Sequence, residues 1–103
     1  MAKSRKFKDV LIEALKDPEE AKMYFDAILE ECKDCSEVEV RQLILKALKN
    51  ITEAQGGINE LAAKTHLGRQ SLYKTLSPEG NPKLSTFISI TNALGISLAV
   101  YKN

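Results

Sequence analysis

Residues 58–76 read INELAAKTHLGRQSLYKTL, and the fold turns on this stretch. Ile58 to Thr65 has helical spacing, His66 to Gly68 reads as a turn, and Arg69 to about Leu76 reads as a second short helix. Two short helices joined by a three-residue turn cannot lie antiparallel; they cross steeply, as in a helix-turn-helix. Leu61, Leu67, Leu72 and Leu76 are the predicted apolar anchors, and Ala62 is small enough to let the second helix approach. At 100° per residue, Gln70 and Lys74 each lie about 160° from Leu72, with Ser71 and Tyr73 on the flanks. The outward face of the second helix is therefore polar and rich in hydrogen-bond donors.

Working outward, the chain reads as helical on both sides. Phe7, Val10, Leu11, Ala14 and Leu15 recur at helical spacing and predict a first helix with these residues as its stripe. Asp17-Pro18 reads as an N-cap followed by proline at the first helical position, with Glu19 and Glu20 favourable to the dipole of a second helix. The stripe of that helix is Ala21, Tyr24, Phe25, Ile28 and Cys32. Ser36 and Glu39 form a capping box that opens a third helix to about Ala54, carrying Val40, Leu43, Ile44, Ala47, Leu48 and Ile51. Gly56-Gly57 ends it. Beyond the decisive stretch, Ser77 to Pro82 is a loop, and Leu84, Phe87, Ile88, Thr91 and Leu94 predict a last helix closed by Gly95. Ile96, Leu98 and Val100 alternate with Ser97, Ala99 and Tyr101, which suits a strand; irregular chain folded over the last helix is the alternative. The expected fold is all-α, a compact single domain over residues 1–103. It has an acidic helical part at 1–55, the helix-turn-helix part at 56–95 and a C-terminal strand or tail at 96–103.

A chain with 44% hydrophobic and 28% charged residues has a globular rather than a disordered balance. Its basic start, Lys3, Arg5, Lys6 and Lys8, is followed by Asp9, Glu13 and Lys16 rather than an apolar run, so no secretory leader is expected. The uncharged stretch from Leu84 to Tyr101 contains six Ser, Thr or Asn residues and Gly95, a poor membrane span. A cytoplasmic location and no membrane partner are expected. The net charge of +1 hides a division. Residues 1–8 carry four positive charges and no negative one, residues 9–60 six against thirteen, and residues 61–103 five against one. The basic last part fits either a polyanion-binding surface or an ordinary solvated face.

The polar face of the second short helix has the chemistry a DNA major groove requires. Arg69 suits a bidentate contact to guanine, Gln70 suits adenine, and Tyr73 and Lys74 reach bases or phosphate. Asn59, Lys64, Ser71, Asn81 and Lys83 are the candidate contacts to the DNA backbone. Two short helices with a polar outward face also occur in helical proteins that bind no DNA. Cys32-Lys33-Asp34-Cys35 is half of a zinc pattern without a second half, because His66 is the only histidine, and it is read as two reduced thiols. Glu30, Glu31 and Asp34 lack a basic or nucleophilic partner, so no enzyme, no metal and no cofactor is expected. A protein-interaction module using only the acidic half is the competing reading.

LAAKTHLGRQSLYKTLSPEGNPKLSTFISITNALG resembles the lambda-repressor-like, Cro-type helix-turn-helix domain, and specifically the addiction-module antidote proteins related to HigA. The words that carry the resemblance are Leu61-Ala62, Ser71-Leu72-Tyr73-Lys74 and Ser77 to Pro82; the Asp-Pro-Glu-Glu lead-in and Tyr24 look like theirs too. The resemblance covers nearly the whole chain. It implies an antitoxin of a type II toxin-antitoxin module that binds operator DNA as a transcriptional repressor and neutralises a RelE-like toxin. A stand-alone phage-like repressor is the alternative within the same fold. Two positions depart from the family: His66 stands where glycine usually takes a left-handed conformation, and Gly68 stands where serine usually caps the recognition helix. Thr75 replaces a usual alanine. A homodimer is expected, joined at least partly by Gly95 to Tyr101, because one recognition helix reads only a few base pairs. The acidic first two helices are expected to meet the basic toxin.

Overall fold

In the computed structural model the backbone is described for residues 2–96 and the side chains for residues 7–96. Six α-helices run in the order α1 (Ala2–Ala14), α2 (Pro18–Glu31), α3 (Glu37–Ala54), α4 (Gly57–Thr65), α5 (Arg69–Thr75) and α6 (Leu84–Ala93), with one 3-10 turn at Cys32–Asp34. No strand occurs among the described residues. The predicted strand lies, beyond Ile96, outside them.

Local capping explains the boundaries. The Asp17 carboxylate accepts from the Glu19 N–H at 2.9 Å, with Pro18 at the first position of α2. Ser36 Oγ accepts from the Glu39 N–H at 3.2 Å while Glu39 Oε1 accepts from the Ser36 N–H at 3.0 Å, a complete capping box. The Ser36 backbone N–H bonded to the Glu39 carboxylate, and after it the Ser36 hydroxyl, hold the Glu39 pKa below its ordinary value. The α3 helix ends at Gly56, whose φ of 112° needs a residue without a Cβ. Gly95 closes α6 in a Schellman motif: its N–H donates to Asn92 O at 3.1 Å and the Ile96 N–H to Thr91 O at 2.8 Å. Ile96 is buried, so the first residue of the predicted strand serves as the apolar anchor of this helix end.

The centre of the fold is α3, which packs against α1, α2 and α4, while α4 carries α5 and α6. Phe25 of α2, Leu48 and Ile51 of α3, Leu61 of α4, Leu72 of α5 and Ile90 of α6 meet in one core. Asn50, buried in α3, donates to the Tyr24 hydroxyl at 3.1 Å, which ties α2 to α3 through a satisfied polar pair.

Three predicted stripes are corrected. Leu11, Ile12 and Leu15 face the body from α1, but Phe7, Val10 and Ala14 are exposed, because the apolar arc is wider than the one neighbour, α3, that covers it. Leu43 is 37% exposed, and Leu45 is buried in its stead. In α6 the inward line is Phe87, Ile90, Thr91 and Leu94, whereas Leu84 and Ile88 are 72% and 39% exposed. The α2 stripe is buried or half-buried throughout, as expected.

Candidate nucleic-acid interface

The turn between α4 and α5 rests on backbone geometry rather than on side-chain caps. His66 sits at φ 62° and ψ 21°, the left-handed conformation, and its N–H donates to Ala62 O at 2.9 Å. Thr65 Oγ1 donates to Leu61 O at 2.8 Å and accepts from the Leu67 N–H at 3.2 Å, which fixes the direction in which the chain leaves α4. Gly68 caps α5 with extended backbone (φ −68°, ψ 146°) and no side-chain hydrogen bond. The departures at 66 and 68 are thus accommodated, the first at the steric cost of a Cβ in left-handed backbone.

The α5 helix is held by Leu72, fully buried, and by Leu76 just beyond its end. Every other polar residue on its outer side, Arg69, Gln70, Ser71, Tyr73 and Lys74, is exposed, Tyr73 at 62%. The helix contains no carboxylate, so its outer face carries positive and no negative charge and is rich in hydrogen-bond donors. Its C-terminal end is sealed locally: Ser77 Oγ donates to Lys74 O at 2.7 Å, and Gly80 lies so close to the last turn that a Cβ there would stand 1.8 Å from Thr75 O. Only glycine fits that position.

Asn59 and Arg69, ten residues apart, are brought together: Arg69 Nη1 donates to Asn59 Oδ1 at 2.9 Å. Spacing along one helix does not reveal this contact, since it depends on how α4 and α5 cross. Of the five guanidinium donors one is engaged, and the others remain for a ligand. Lys64 is exposed on the last turn of α4. Asn81 is exposed in the loop before α6 and lines a depression with Arg41, Ile44, Leu45, Pro82, Leu84 and Phe87. Lys83 is the N-cap of α6 and exposed.

A groove of about 530 Å³ runs between α1, α3 and the loop after α5, with Lys8, Lys46 and Lys49 beside Leu43, Leu76 and Pro78. Gln42 Nε2 donates to Pro78 O at 3.4 Å along it. None of these lysines is among the site candidates read from the sequence. Residues 9–39 carry three positive charges against eleven negative, a net of −8, whereas residues 40–60 carry three against two. The charge boundary therefore falls inside α3, after Glu39, and not at residue 60.

Cys32 is buried and Cys35 half-buried; the Cys35 thiol donates to Glu31 O at 3.8 Å, and burial pushes its pKa up, which keeps it a thiol rather than a nucleophilic thiolate. Among the described residues no group of three or more His, Cys, Asp or Glu is placed to hold a metal. No described helix is long and apolar enough to cross a membrane.

Comparison with known proteins bears on nearly the full length. The family described as "Probable addiction module antidote protein" matches residues 5–102. An uncharacterized protein of Haemophilus influenzae is 32% identical over 91 residues, 88% of this chain and 86% of that protein. No solved structure matches the chain. With a match from residue 5 to residue 102, the chain belongs to the family of probable addiction module antidote proteins.

Proposed function

We propose that the chain is the antitoxin of a type II toxin-antitoxin module, related to HigA, and that it represses transcription by binding operator DNA. Its α4–α5 unit acts as a helix-turn-helix of the lambda-repressor-like kind. The observation that carries this reading is the outer face of α5: five exposed polar side chains on a short helix with no carboxylate, anchored from behind by Leu72. Arg69, Gln70, Tyr73 and Lys74 contact base edges. Asn59 holds Arg69 in place, and Lys64, Ser71, Asn81 and Lys83 contact the phosphate backbone. The protein works in the cytoplasm as a homodimer on two half-sites, without catalysis and without a cofactor.

The toxin is a basic, RelE-like protein, and it meets the acidic surface of α2, where Glu19, Glu20, Asp26, Glu30 and Glu31 are all exposed. A footprint of the region upstream of the gene at low salt tests the DNA reading; a protected site is expected, and its absence contradicts it. Copurification with the product of the adjacent reading frame tests the second part. The Glu19→Lys, Asp26→Lys double variant is expected to lose most of that product, and full retention would place the toxin elsewhere.

A further inference from the structure

We infer that the depression between α3 and the start of α6 binds a small carboxylic acid, one carboxylate on a compact apolar body, with Arg41 as the residue that takes the carboxylate. Arg41 is half-buried, and its Nε is enclosed by protein without a hydrogen-bond partner, the one side-chain nitrogen or oxygen left so among the described residues. Nor does the guanidinium find a counter-charge: the ion pairs among the described residues are Lys8 with Glu53, Lys16 with Glu13 and Lys33 with Glu30. A buried donor without an acceptor is uncommon in a folded chain and costs free energy until an acceptor reaches it.

The surroundings of the guanidinium set the class of ligand. Apart from Arg41 and Asn81 the lining is apolar, with Ile44 and Leu45 on the α3 side and Leu84 and Phe87 on the α6 side. Leu84 is 72% exposed at the mouth, so a hydrocarbon body that covers it is removed from water together with it. The volume is about 280 Å³, just below the usual range of drug-sized sites, which limits the occupant to a small molecule. Arg41 is the one charged residue in the lining, so the site balances a single negative charge; a phosphate group brings nearly two. The Nε and the neighbouring Nη of a guanidinium form a planar pair of donors that matches the two oxygens of a carboxylate. Asn81, exposed at the rim, offers an amide to a second polar group on the ligand.

The site goes beyond the DNA reading and is measured without DNA or toxin, so the two fail separately. Phenylacetate is titrated into the full isotope-labelled chain and followed by nuclear magnetic resonance. A saturable shift of the Arg41 Nε–H signal is expected, identified by its loss in Arg41→Lys, together with shifts of the Leu45, Leu84 and Phe87 backbone signals. The dissociation constant is on the order of a millimolar, as a small ligand in a shallow site gives. Phenylacetamide, the same shape without the charge, is expected to bind at least about tenfold more weakly, and so is phenylacetate to Arg41→Gln. Leu84→Asp, at an exposed position, is expected to abolish binding by placing a like charge at the mouth, with an unchanged circular dichroism melt. The absence of a saturable shift at tens of millimolar overturns the inference. So does equal binding of the acid and the amide, or binding that Arg41→Gln and Leu84→Asp both leave intact. Displacement of phenylacetate by an equal concentration of inorganic phosphate would make this a general anion site. Binding of acetyl-Leu-Glu-amide with none of phenylacetate would assign the depression to a protein partner, and either result likewise overturns it.

Discussion

Two surface helices of this molecule, α1 and α5, are each pinned to the body by a narrow apolar line, and they differ in what they leave outside. The line of α5 is one buried leucine with another just past its end, and everything facing out is polar and free of carboxylates. The buried line of α1 is Leu11, Ile12 and Leu15, and it leaves a phenylalanine and a valine in solvent. A donor-rich polar face is matched to a nucleic acid, and an apolar face to protein. The two helices thus turn different chemistries outward.

The sharpest contrast comes from truncating one residue on each helix. Leu72→Ala is expected to cost about 2–5 kcal/mol, because Leu72 is fully enclosed and its removal leaves a cavity. Phe7→Ala, at an exposed site, is expected to change the stability of the single chain by no more than about 0.5 kcal/mol. Chemical denaturation of both variants measures the difference; equal costs would mean that α1 is a core helix after all. Next in size is Ser36→Ala, which removes the N-cap of α3, the helix on which both halves rest; about 1 kcal/mol is expected.

His66→Gly acts on the α5 side alone. It removes a Cβ from left-handed backbone at φ 62°, and a gain of up to about 1 kcal/mol is expected, partly offset by the greater freedom of glycine when unfolded. A loss of stability would show that the histidine side chain contributes more than its backbone costs. The smallest effect is a pH dependence at Glu39. Its folded pKa lies below the ordinary carboxylate value, so its contribution is fully present above that value and lost as pH falls through the folded one. Glu39→Gln is expected to flatten this part of the acid limb of the melting temperature; an unchanged limb would place it on other carboxylates.

What could be read in advance follows from how local each determinant is. Asp17-Pro18, Ser36 with Glu39, Gly56 and Gly95 act through neighbours within a few residues, and the helix boundaries they imply agree with the structure. The apolar periodicity of α1 begins only at Phe7 although the helix begins at Ala2, because Lys3, Arg5 and Lys6 contribute none. Faces were less legible than boundaries. Which side of α1 or α6 is covered depends on where the neighbouring helices stand, and periodicity alone cannot choose between Leu84 and Ile90 as the core residue. The exposed residues of α5 followed from their angle to Leu72, an intrahelical relation. The bond from Arg69 to Asn59 did not, since it is created by the crossing of two helices.

The most direct test is a comparison of two duplexes of equal length, one taken from the region upstream of the gene and one with its bases scrambled. Binding of each to the wild-type chain and to Arg69→Ala is followed by fluorescence anisotropy at fixed salt. The wild type is expected to prefer the upstream duplex by about a thousandfold or more, and the variant to lose about 1–3 kcal/mol of that preference while binding scrambled DNA nearly as before. Equal affinity of the wild type for both duplexes, or a preference that Arg69→Ala leaves intact, would contradict the assignment of α5 as the helix that reads DNA.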